Sequence, residues 1–150
     1  MPQGPRAKVG DRLSYVSRLL TQAFPSGRGL IKDYRVQPGD PMTGWFRLVF
    51  RLDDIVVHVF EFLSGGVVLK YAYTLLVRSE SILRYDNAPH HKGLPTFPHH
   101  KHVRGRVRPL ETPSIEEFVR EAAEVLREAV RSGRADLPRS RYPGSARRAP

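Results

Sequence analysis

Five histidines crowd one short stretch of this sequence. His90, His91, His99, His100 and His102 all lie within RYDNAPHHKGLPTFPHHKH, residues 84–102. Arg84, Asp86 and Lys101 stand among them, with Asn87, the single asparagine of the chain. Imidazole is the side chain whose proton affinity lies nearest neutral pH, so clustering it suits proton transfer, metal ligation or phosphate binding. A segment this rich in imidazoles and permanent cations is poor material for a hydrophobic core. Pro89, Pro95 and Pro98 fix backbone angles and remove amide donors, which predicts an ordered loop.

Side-chain alternation says which of these groups can meet. In a strand from Ile82 to Asp86, Arg84 and Asp86 share one face, and Leu83 and Tyr85 the other. In an extended segment His100 and His102 share one side, and His99 shares the other with Lys101. Imidazoles at i and i+2 are close enough to hold one phosphate or one metal. His58, alone in an apolar strand, reads as a satisfied core or edge residue.

Glu61 is the odd residue of its strand, because its parity is that of Ile55, Val57, Val59 and Leu63. Either a bulge near Phe60 reverses the parity, or a carboxylate is buried and needs a partner, with Arg84 or a histidine as candidates. Tyr71 and Tyr73, two apart on the next strand, offer hydroxyls or stacking surfaces to the same site, or else simply fill the core.

The elements that must position these groups follow from periodicity. Val9, Leu13, Val16, Leu20 and Phe24 form one apolar stripe, predicting a helix from about Asp11 to Phe24. Strands are expected at Leu30–Val36, Trp45–Leu52, Ile55–Leu63, Val67–Val77 and Ile82–Asp86, with a short one at Val103–Val107 after the loop. Short connections make them antiparallel neighbours. Ser114-x-x-Glu117 is a capping box opening a second helix, whose apolar face is Ile115, Phe118, Ala122, Val125, Leu126 and Ala129. Its Glu116–Arg120, Glu124–Arg127 and Glu128–Arg131 pairs describe a solvated face. The predicted fold is α+β, a curved antiparallel sheet of five or six strands flanked by an N-terminal and a C-terminal helix.

At 150 residues the chain holds one compact domain, expected over 11–131, with a flexible start at 1–10 and a disordered Arg/Pro-rich tail at 132–150. No apolar run could span a membrane, MPQGPRAK has no signal-peptide-like stretch, and cysteine is absent. A cytoplasmic protein without disulfides or thiolate metal sites is expected. The net charge is +10 and arginine outnumbers lysine 20 to 5. Arginine suits bidentate phosphate recognition, so RNA or DNA is a natural partner, although arginine-rich genomes produce a similar bias.

The run RYDNAPHH…LPTFPHHKH resembles the signature of TumE-type toxins of toxin–antitoxin operons, a likeness that spans roughly residues 28–130. It implies a small cytoplasmic toxin held inactive by a cognate protein antitoxin. The residues that match by motif are Arg84, Asp86, Asn87, His90, His91, His99, His100, Lys101 and His102, with Glu61 and Tyr73 matching more loosely.

The residues themselves suggest a ribonuclease that needs no bound metal. His91, His99, His100, His102 and His90 supply acid and base, with His100 and either His91 or His102 as the first choice of pair. Lys101 and Arg84 would hold the phosphate, and Asp86 or Glu61 would orient a histidine, with Asn87 and Tyr73 near the substrate. No cofactor is required, and a divalent metal at the cluster stays open as the rival: a hydrolase or nucleotide-transferring toxin using His90, His91, Asp86 and His102 as ligands, which suit zinc, nickel or iron. A third reading is a basic module that binds nucleic acid without turnover. Oligomeric state, a homo-oligomer included, stays open.

Overall fold

The computed structural model describes residues 5–131. Helix α1 (Val9–Ala23) is followed by strands β1 (Arg28–Gln37), β2 (Asp40–Leu52), β3 (Ile55–Ser64), β4 (Val67–Val77), β5 (Glu80–Asp86), β6 (His100–Val103) and β7 (Arg106–Pro109), and then by helix α2 (Ile115–Arg131). All seven strands form one antiparallel sheet in chain order. The expected class is therefore the observed one, with one strand more than anticipated.

That strand comes from a turn. Val103–Val107 was expected as a single strand, but Arg104 and Gly105 both adopt positive φ, 50° and 84°. A pair of left-handed residues closes a two-residue hairpin, so Val103 pairs with Arg106 and the segment folds back into β6 and β7. Gly65 and Gly66, at φ 59° and 87°, do the same between β3 and β4. The Gly65–Gly66 turn also receives the chain's start: Ala7 N donates to Gly66 O at 3.1 Å and Arg6 Nη1 to Gly65 O at 2.8 Å. Helix α1 begins two residues before the expected Asp11. The tail at 132–150 lies outside the described residues.

Period-2 alternation gives the sheet two unlike faces. Phe46, Leu48, Phe50, Val57, Val59, Tyr73, Leu75, Leu83 and Tyr85 all point to one side. Against them lie Val9, Val16 and Leu20 of α1 and Ile115, Phe118 and Ala122 of α2, giving one continuous core. The Phe118 ring meets Tyr73 at 5.5 Å and Tyr85 at 5.3 Å between centroids. Both helices are thus on the same face, and among the described residues the other face carries none. Ser114 caps α2 as its sequence predicts, accepting from Glu117 N at 3.0 Å. The surface pairs differ in part from expectation: Arg120 binds Glu117 and Glu124, Arg131 binds Glu128, and Glu116 instead accepts from Tyr15 on α1. No helix among the described residues is long and apolar enough to cross a membrane.

Candidate functional site: a histidine centre on the open face

Pairing of β5 with β6 sets Arg84 opposite His102 and Asp86 opposite His100. All four side chains therefore emerge on the open face of the sheet. The loop between the two strands returns His91 to the same spot. Ring centroids are 4.6 Å apart for His91 and His100, 5.6 Å for His91 and His102, and 5.1 Å for His100 and His102. One ring nitrogen from each lies within 4.8 Å of the others.

Asp86, only 4% exposed, is the hub of this centre. Its Oδ1 accepts from Ala88 N at 3.0 Å and lies 3.0 Å from His100 Nε2. Its Oδ2 accepts from Arg84 Nε at 2.8 Å, with His102 Nε2 at 4.0 Å. His100 is 1% exposed, and its Nδ1 lies 2.9 Å from the Pro98 carbonyl. A carbonyl only accepts, so Nδ1 of His100 donates to it, and Nε2 faces the Asp86 carboxylate. Arg84 also donates to Thr74 Oγ1 at 2.9 Å, and its side chain keeps 41% exposure. Burial first, then the charge of His100, pushes the proton affinity of His102 down, and Asp86 offsets this only in part. His102 is therefore neutral at pH 7.

The loop is built to hold this geometry. Asn87 clamps it to β4, donating to Leu69 O at 2.9 Å and accepting from Tyr71 N at 3.2 Å. Thr96 Oγ1 donates to His99 O at 2.7 Å and accepts from Leu110 N at 3.0 Å, which joins the loop to the start of the α2 approach. Asn87 acts here on the backbone.

Several expected site residues lie elsewhere. Lys101 is opposite Tyr85, on the helix side, with Nζ 3.0 Å from both oxygens of Glu121. His99 is stacked on Tyr71 at 5.8 Å, with its Nδ1 2.8 Å from the Tyr71 hydroxyl. His90 is exposed in the loop. Glu61 is wholly buried on the helix face with its parity intact, because the bulge lies beyond it, at Phe62/Leu63. Its partner is neither Arg84 nor a histidine. Arg12 of α1 grips both carboxylate oxygens, at 2.7 and 2.8 Å, and the Tyr73 hydroxyl donates at 2.5 Å. Sequence reasoning passed over Arg12, although its place three residues after Val9 and four before Val16 puts it at the rim of the buried stripe. It also missed Thr74 and Glu121, which nothing in their strand and helix patterns distinguishes. His58 is exposed on the open face.

Fold and site together define a small, basic α+β protein with an imidazole-centred polar site on an open antiparallel sheet. A family model described as Toxin TumE matches residues 18–132, a wider span than the motif resemblance, and the chain belongs to that toxin family. Membership implies a toxin of a toxin–antitoxin system and hence an antitoxin partner. No curated protein and no solved structure matches the chain significantly.

Proposed function

We propose that this toxin cuts RNA in the cytoplasm by metal-independent acid–base catalysis at the histidine centre. The observation that carries the reading is the convergence of His91, His100 and His102 round Asp86 and Arg84 on a face that no helix among the described residues covers. His102, neutral at pH 7, takes the proton of a ribose 2′-hydroxyl. The 2′-oxygen attacks the adjoining phosphorus, the bond to the 5′-oxygen breaks, and His91 gives that oxygen its proton. A 2′,3′-cyclic phosphate and a 5′-hydroxyl result. Arg84 faces the growing phosphate charge from a fixed position, and such preorganised stabilisation is commonly the largest catalytic contribution. His100 is too enclosed to exchange protons with substrate, so its part is to position the groups around it. Lys101, held by Glu121 across the sheet, takes no part.

One observation favours a second reading, a metal held by His91, His100 and His102, since their ligand atoms cluster within 4.8 Å. Three imidazoles with open positions suit a catalytic zinc. His100 Nε2 already faces Asp86 Oδ1 at 3.0 Å, an engagement that competes with ligation through that nitrogen and supports the metal-free reading. Purified protein incubated with defined RNA decides the matter. Cleavage that persists in EDTA, fails at a 2′-deoxy position and leaves cyclic phosphate ends is expected. Equal cutting of the deoxy substrate, or activity abolished by chelator and restored by zinc, would overturn it.

A further inference from the structure

The open face continues past the histidines. Following the registers across the sheet, Arg84 stands opposite Thr74, and Thr74 opposite His58. In the parallel row Asp86 stands opposite Ala72, Ala72 opposite Phe60, and Phe60 opposite Arg47. Ala72 and Thr74 are short among taller neighbours, so the surface sinks into a shallow trough lined by Arg47, His58, Phe60, Ala72, Thr74 and Arg84. Arg84 belongs to both the trough and the histidine centre. The far wall is the Phe60 ring, with the Arg47 guanidinium carbon 4.5 Å from its centroid.

Charge and shape agree on the occupant. Exposed Arg47, Arg51 and Lys70 join Arg84 on this face. Its carboxylates are already engaged, Asp33 by Trp45 and Arg35, and Asp86 by Arg84 and His100. An anionic ligand is favoured. A slot with a small-residue floor, one aromatic wall and a guanidinium beside it accepts a flat ring rather than a side chain of varied shape. Neighbouring strands lie about 4.8 Å apart, so the floor on β4 is on the order of 5 Å from the β5 row and 10 Å from the β6 row. That is the reach of one nucleotide.

The geometry points to a nucleobase pocket: the trough takes one unpaired base of single-stranded RNA, stacked on Phe60 beside Arg47, while its phosphate lies at Arg84 and the histidines. This rests on the RNA reading above and adds the substrate's form. A base in a duplex cannot offer its face, so the toxin selects unpaired stretches. Stacking tolerates any base, so selectivity among bases at this position is weak.

The test is the affinity of the full chain for a fluorescent 2′-O-methyl oligoribonucleotide, whose blocked hydroxyl prevents cleavage. Phe60→Ala should weaken binding roughly 5- to 150-fold, the range reported by removal of one base–aromatic stack. Ala72→Leu, which fills the trough and deletes no contact, should weaken it comparably with the melting temperature retained. Arg47→Ala should weaken it and flatten its salt dependence. Unchanged affinity in both Phe60→Ala and Ala72→Leu overturns the pocket. So does loss of antitoxin binding with oligonucleotide affinity intact, which would make the trough a protein dock. A chain that binds the oligonucleotide through the trough but never cuts ribose RNA keeps the pocket and sinks the nuclease.

Discussion

Two carboxylates are buried in this sheet, on opposite faces, and an arginine holds each. On the helix side Glu61 is fully enclosed and meets Arg12 and Tyr73, two groups that keep their protons across the physiological range. On the open side Asp86 meets Arg84 and two imidazoles, the side-chain type whose proton affinity lies nearest neutral pH. The first arrangement fixes a charge and anchors α1 to β3 across 49 positions. The second keeps a negative charge among titratable groups at the edge of solvent. The same residue types serve as a fastening where the partners are permanent, and can serve chemistry where they are not.

Breaking each side should therefore give opposite signatures. His102→Ala or His91→Ala should lower RNA cleavage about 10²- to 10⁴-fold while thermal melting barely moves. Cleavage assays beside melting curves check this, and a large stability loss in either variant would blur the contrast. Arg12→Leu should do the reverse. It leaves Glu61 buried without its cation, which costs roughly 3–5 kcal/mol, and urea unfolding should show it while activity per folded molecule is kept. Arg84→Leu should destabilise less than Arg12→Leu, because Asp86 retains the Ala88 amide as a donor and keeps His100 at 3.0 Å.

Tyr73→Phe sharpens the same side by removing one donor to a buried acceptor, a loss of about 1–3 kcal/mol by the same measurement. The smallest effect is pH dependence. Burial is the leading cause that pushes His102, His99 and His58 below the ordinary histidine value of 6.5, helped by His100 for the first two and by Arg51 for His58. Their charged forms are disfavoured when folded, so the unfolded chain binds protons first as pH falls. Stability should be flat above about pH 7, decline as pH drops through 6.5, and level off below the folded values. Cleavage should fall over the same limb, because the base must be neutral. A melting temperature that rises on acidification through 6.5 would contradict the sign.

Much of this was legible in the chain. Alternation placed Arg84 with Asp86 and His100 with His102, and it sent His99 and Lys101 to the other side, because a period of two is fixed by the strand itself. What it could not give was which face is covered. Nor could it give the contacts of Lys101 and Glu61, which meet Glu121 of α2 and Arg12 of α1, partners many positions away that no local pattern encodes. The loop was readable as ordered from its prolines, but the return of His91 to His100 and His102 depends on Thr96 and Asn87 bonds that have no sequence signature.

The strand order carries a further consequence, one of timing. Since every strand pairs with its neighbour in the chain, the histidine centre is assembled from consecutive residues 84–102, and closing so short a loop costs little entropy. The contact between Tyr15 and Glu116, which joins the first helix to the last, spans 101 positions and must wait for nearly the whole domain. Local hairpins form in microseconds, and distant contacts follow. The face that carries the histidine centre should thus take shape early on the folding path, before the two helices are clasped together behind it. Pulse-labelled hydrogen exchange would show this as protection of the β5–β6 amides ahead of those in α1.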